Sequence, residues 1–79
     1  MKPTIGRVVI YKTTEEEQQT MRDSTTCNVQ EELPATVVAV WSDTCVNLKV
    51  DLDGQGQLWK TSSVEGDQRG NWSWPKREQ

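Results

Sequence analysis

Histidine and phenylalanine are both missing from this chain, and each absence removes a class of explanation. Without histidine the chain lacks the commonest general base and the commonest metal-binding side chain. Serine–histidine and cysteine–histidine nucleophile systems therefore cannot be built within it. The only cysteines, Cys27 and Cys45, stand far apart, and no second pair exists to complete the close-spaced ligand set of a zinc site. A Cys27–Cys45 disulfide would need Cα atoms within about 7 Å; with no secretion signal, free thiols in a reduced compartment are the expectation. Long apolar runs are also missing. The longest, Val37–Trp41, has the length of a strand and not of a membrane span. Hydrophobic residues make up only 33% of the 79 positions, so a single small domain must concentrate them in a few strands.

Charge narrows the reading further. The formal net charge is −3, which argues against a general nucleic-acid binder, since such proteins carry basic patches. The acidic features have plain structural readings. Asp51, Asp53 and Gly54 lack the further ligands and the closing glutamate of a calcium loop, and read as a hairpin turn. Glu15, Glu16 and Glu17 read as a solvated helix start. Gly54 and Gly56 are followed by neither a helix nor a lysine at a phosphate-loop offset. The chain is expected to use no metal and no cofactor, and not to be an enzyme.

Period-two patterning sets the expected fold. Gly6–Lys12 is β-branched and places Val8 and Ile10 on one face, Val9 and Tyr11 on the other. Thr14 followed three residues later by Glu17 makes a capping box, which predicts a short polar helix from Glu15 to Arg22. Met21 is its only apolar residue, so the helix is expected to be marginal, within a long connection over residues 13–33. Pro34–Ser42 and Cys45–Leu52 predict a hairpin, with Val46, Leu48, Val50 and Leu52 opposed to Asn47, Lys49 and Asp51. Asp53-Gly54 marks the next turn. Leu58–Thr61 and Asn71–Trp74 predict two further short strands, and residues 76–79 a flexible tail. The whole predicts a mostly β chain, residues 1–79, as one small antiparallel five-stranded SH3-like barrel with one short polar helix in the long loop after the first strand. An oligonucleotide-binding barrel is the nearest competitor.

Four of the five aromatic residues are tryptophan: Trp41, Trp59, Trp72 and Trp74. Each ring can bury roughly 150–250 Å². One reading has them seal the core, with Trp41 and Leu48 as anchors whose loss opens a cavity. The other leaves one or two exposed as a stacking platform for bases, with cations nearby for phosphate. Trp72 and Trp74 share a face if both lie on a strand. The candidate ligand-binding residues are therefore Trp59, Arg69, Trp72, Trp74 and Lys76.

From Gly6 onward the chain resembles a family of small proteins encoded in tailed bacteriophages and prophages. The resemblance is carried by Gly6-Arg7-Val8-Val9-Ile10-Tyr11, Thr14-Glu15-Glu16, Pro34-Ala35-Thr36-Val37-Val38-Ala39-Val40-Trp41 and, most specifically, Val46-Asn47-Leu48-Lys49-Val50-Asp51-Leu52-Asp53-Gly54. Trp59-Lys60-Thr61-Ser62-Ser63-Val64-Glu65-Gly66-Asp67 and Gly70-Asn71-Trp72-Ser73-Trp74-Pro75 complete it. The segment Asp23–Asn28 departs from it, being shorter than the inserts of such proteins, so no site is carried over onto that loop.

The resemblance implies a phage accessory protein acting in the bacterial host cytoplasm. Its expected partners are a host protein or a small nucleotide-like ligand, with no membrane and little place for nucleic acid; a homo-oligomer is compatible. Sequestration of a cyclic nucleotide immune signal, countering anti-phage defence, is the concrete version. A structural virion or assembly component and a single-stranded nucleic-acid-binding barrel are the alternatives.

Overall fold

The computed structural model describes residues 2–75, so Lys76 and the predicted tail, residues 76–79, lie outside the described residues. The chain order is β1 (Val8–Lys12), α1 (Glu15–Asp23), β2 (Cys27–Asn28), β3 (Glu32–Val40), β4 (Cys45–Asp51), β5 (Asp53–Gly54), β6 (Gln57–Val64) and β7 (Trp72–Ser73). Five strands form one sheet in the order β6-β4-β3-β1-β7, and every ladder in it is antiparallel. The sheet curls into a half-barrel, as the alternating aliphatic strands predicted. No helix among the described residues is long and apolar enough to cross a membrane.

Alternation decides what lies inside. Val9 and Tyr11 of β1, Leu33, Ala35 and Val37 of β3, and Val46, Leu48 and Val50 of β4 are all buried. Trp72 pairs with Tyr11 and is fully buried with it. Its indole Nε1 donates to the carbonyls of Thr44 and Ser63, each at 3.1 Å, so the polar edge of the ring is satisfied in the interior. The curl closes on this side: Glu65 bridges Trp72 in parallel, the Gly66 N–H donates to the Trp72 carbonyl at 2.9 Å, and the Ser63 hydroxyl donates to the Gly70 carbonyl at 2.9 Å.

Two expectations need correction. Trp41 is not a core anchor: it is 65% exposed, on the outer face, whereas Leu48 is fully buried as expected. The β3–β4 ladder shifts register between Val37 and Ala39, so the parity that would set Trp41 on the buried side with Val37 does not carry through. Asn47, expected outside, is a buried hub beside a register shift between Val46 and Leu48. Its Oδ1 accepts from Trp41 Nε1 at 2.8 Å, from the Ser62 N–H at 2.8 Å and from the Thr61 hydroxyl at 3.2 Å. Ser62 stands at φ +55°, a left-handed conformation that strains a residue with a Cβ, and the Asn47 bond holds it there.

The helix is also better anchored than its sequence suggests. The capping box forms as predicted, with the Thr14 side chain accepting from the Glu17 N–H and Glu17 Oε1 accepting from the Thr14 N–H. Beyond it, Met21 is buried and Gln18 donates to Thr13 Oγ1 at 3.0 Å. Glu17 also accepts from the Tyr11 hydroxyl at 2.8 Å and meets Lys60 Nζ at 2.9 Å, tying α1 to β1 and β6 at once. Lower in the long connection, β2 pairs with β5. Gly54, at φ +143°, is required at that ribbon, because a Cβ there would run into the backbone of Thr26 and Cys27. Cys27 and Cys45 are free thiols.

Candidate functional site

The outer face of β1 carries a cleft. Ile10 and Lys12 point outward, as the alternation with buried Val9 and Tyr11 demands. On one side lie Glu32 and Pro34 from β3, and on the other Ser73 and Trp74 follow from β7. Gly66 and Asp67 close the end, and the enclosed volume is about 580 Å³. Because β7 ends at Ser73, strand parity no longer governs Trp74. The Trp74 ring meets Trp72 edge-on, with centroids 5.3 Å apart and planes at 86°. The Arg7 guanidinium carbon lies 5.5 Å from the Trp74 centroid, within cation–π range. Trp74 is thus fixed by the core through Trp72 and half-exposed to the cleft.

Lys12 is the divide between this cleft and a second one. The second, of about 360 Å³, is lined by Lys12, Thr13, Gln18, Glu31, Gln68 and Arg69. Lys12 Nζ donates to the Asp67 carbonyl at 3.2 Å, which holds the ammonium at the boundary. The backbone is held equally well there: the Gly70 N–H donates to the Lys12 carbonyl at 2.7 Å and the Lys12 N–H to the Asn71 carbonyl at 3.0 Å. Ile10, Pro34 and Trp74 give the first cleft an apolar lining, while Glu32 and Asp67 add acceptors to it. The second cleft carries two cations, Lys12 and Arg69, against one acid, Glu31. An aromatic surface, hydrogen-bond acceptors and cations therefore line two clefts that share Lys12 of β1.

The residues singled out from sequence are divided among four environments. Trp74 and Arg69 come to adjoining clefts, joined through Lys12. Trp72 is fully buried and offers no face to a ligand, so for this ring the core-sealing reading holds. Trp59 is 64% exposed on the outer face of β6, paired with Lys49 of β4, and lines neither cleft. Lys76 lies outside the described residues. Lys12 and Ile10 escaped attention in the sequence, although their signal was present: both stand on the β1 face opposite Val9 and Tyr11.

A polar cluster of Tyr11, Glu17 and Lys60 is partly buried under the helix. Partial burial pushes the Glu17 carboxyl up, but the Thr14 N–H, the Lys60 ammonium and the Tyr11 hydroxyl outweigh it and hold the group below its ordinary value. For Tyr11, burial, the bond to Glu17 and the charge of that carboxylate all act in one direction and raise the phenol well above its ordinary range. Glu17 therefore stays ionised and Tyr11 protonated at neutral pH. This cluster docks the helix; its hydroxyl, carboxylate and ammonium are already paired with one another.

No family model, no curated protein and no solved structure matches the chain.

Proposed function

We propose that this chain is a non-enzymatic binding module, a bacteriophage accessory protein that sequesters a nucleotide-like ligand in the host cytoplasm and thereby blunts a cyclic-nucleotide defence signal. The observation that carries the reading is the succession of Trp74, Lys12 and Arg69 along two adjoining clefts. A nucleotide needs a flat apolar surface for its base and cations for its phosphate, a few ångströms apart. The base stacks along Trp74 over Ile10 and Pro34, at roughly 1–3 kcal/mol for an aromatic–base contact. Glu32 and Asp67 accept from the exocyclic amine or ring N–H of the base. The phosphate lies at Lys12 and Arg69, where charge-assisted hydrogen bonds are strongest.

The fixed position of Trp74 supports the reading. A ring already held by Trp72 and Arg7 loses little freedom on binding, so more of the contact energy appears as affinity. The phage assignment draws on the sequence resemblance, and the defence role on the ligand class.

Titrating purified protein with cyclic dinucleotides and following tryptophan fluorescence or heat tests the reading. Saturable binding is expected, with Trp74→Leu and Lys12→Ala each weakening it about tenfold, the equivalent of about 1.4 kcal/mol. Absence of binding at millimolar ligand, or undiminished binding in both variants, overturns it.

A further inference from the structure

One side-chain oxygen in the second cleft lacks a donor, and its orientation is fixed by its neighbours. Thr13 Oγ1 lies 2.8 Å from the Gln30 carbonyl oxygen and 3.1 Å from that of Glu31. A carbonyl can only accept, so the single hydroxyl proton of Thr13 points to them. The lone pairs of Oγ1 are left to accept, and Gln18 Nε2 donates to them at 3.0 Å. The Gln18 amide is thereby set with its nitrogen on Thr13 and its oxygen turned away.

Gln18 Oε1 accepts from no described residue. Every fully buried side-chain nitrogen or oxygen among the described residues has a hydrogen-bond partner, so Oε1 reaches solvent. Gln18 as a whole is only 7% exposed, and the solvent it meets is the cleft it lines. The acceptor is also held still. Gln18 follows Glu17, whose carboxylate is bonded to the Tyr11 hydroxyl and to Lys60. Its own N–H donates to the Thr14 carbonyl at 2.9 Å. A group ordered in advance loses little freedom when a ligand arrives.

The surroundings select the donor. Lys12 and Arg69 line the same cleft, so an ammonium donor is repelled and an anion is attracted. The group that suits Oε1 is then a neutral O–H carried beside an anion. We propose that the second cleft takes the sugar next to the phosphate, and that Gln18 selects ribose over deoxyribose by accepting from the 2′-hydroxyl. This rests on the nucleotide reading of the two clefts and narrows it to ribonucleotides. In a cyclic dinucleotide linked 3′ to 5′, the 2′-hydroxyl is the one free hydroxyl of each sugar and stands beside the 3′-phosphate. Lys12 and Arg69 hold that phosphate while Gln18 Oε1 accepts from its neighbour.

Calorimetric titration of the intact chain with 3′–5′ cyclic di-AMP, its 2′-deoxy analogue and its 2′-deoxy-2′-fluoro analogue tests the proposal. The fluoro compound keeps the sugar pucker of ribose and removes the donor. Both analogues are expected to bind about tenfold more weakly than the ribose compound, the worth of one hydrogen bond. The side-chain carbonyl carbon resonance of Gln18 is expected to move with the ribose compound and not with the fluoro one. Gln18→Met, similar in length but without the amide, is expected to bind all three alike. Equal affinity of the unaltered chain for ribose and deoxyribose overturns the inference and leaves the nucleotide reading standing. A fluoro analogue that matches the ribose compound also overturns it, because pucker and not donation would then decide. So does discrimination that persists in folded Gln18→Met. Absence of binding by all three removes the nucleotide reading and this inference with it. The analogue series and the Gln18 resonance need no substitution, so they decide the matter even if Gln18→Met fails to fold.

Discussion

The inner and outer faces of the same sheet use one residue type in opposite ways. Inside, Trp72 has no exposed surface and both its neighbours in the seam, Thr44 and Ser63, accept from its N–H. Outside, Trp41 and Trp59 remain about two-thirds exposed, at 65% and 64%. Trp74 stands between, held edge-on by Trp72 and half-open to the cleft. Ring chemistry does not separate these four residues. What separates them is where the curl of the sheet places each ring and whether a backbone carbonyl waits for its N–H. Trp72, whose N–H meets two backbone carbonyls, closes the barrel, whereas Trp41 donates to the Asn47 side chain and still leaves most of its ring exposed.

Substitutions can break this contrast, and the largest effect is expected at the seam. Trp72→Ala removes the ring that bridges β7 to the carbonyls of Thr44 and Ser63, and a loss of about 3–5 kcal/mol in denaturant unfolding is expected. Leu48→Ala, in the middle of β4 and fully buried, is expected to cost about 2–5 kcal/mol by the same cavity mechanism. Next comes Asn47→Ala, which leaves the Ser62 N–H and the Trp41 indole without their shared acceptor. About 1–3 kcal/mol is expected, with loss of a single environment for the Trp41 indole in proton–nitrogen spectra.

A smaller, pH-linked effect is expected at Glu17. Its folded-state value is held below the ordinary 4.5. The stabilisation is therefore fully present above that value and is lost as pH falls through the lower folded value. Thermal scans should show stability declining over that acidic window, and Glu17→Gln should flatten this part of the profile. At the outer face Trp59→Ala is expected to leave stability within about 0.5 kcal/mol of the parent chain, the range of ordinary surface changes. A loss comparable to that of Trp72→Ala would erase the distinction between the two faces.

Much of the architecture can be read from the sequence alone, because period-two patterning is local. Val9 and Tyr11, or Leu48 and Val50, fall inside simply by alternating with polar neighbours. The Thr14–Glu17 capping box is equally local, and it forms. What escapes such reading depends on partners distant in the chain. Asn47 looks like an exposed polar residue, and its burial depends on Trp41, Thr61 and Ser62, which bond its side chain beside the bulge. The helix looks marginal because its apolar face is one methionine, while its anchors, Tyr11 and Lys60, lie on strands before and far after it.

The same limit governs the candidate site. Tryptophan spacing drew attention to Trp72 and Trp74 together, but the end of β7 at Ser73 sends one ring inward and the other to a cleft. Arg69 reaches that neighbourhood through a turn that no periodicity describes. Lys12, which joins the two clefts, was legible only as the outward partner of Ile10 on β1.

The most direct test of the proposed ligand site is a titration of the intact chain with a cyclic dinucleotide, monitored through its four tryptophan indole N–H resonances. The account predicts that the Trp74 signal moves progressively to saturation while those of Trp41 and Trp59 stay in place. Movement confined to Trp41 or Trp59, or four unmoved signals at millimolar ligand, would contradict it.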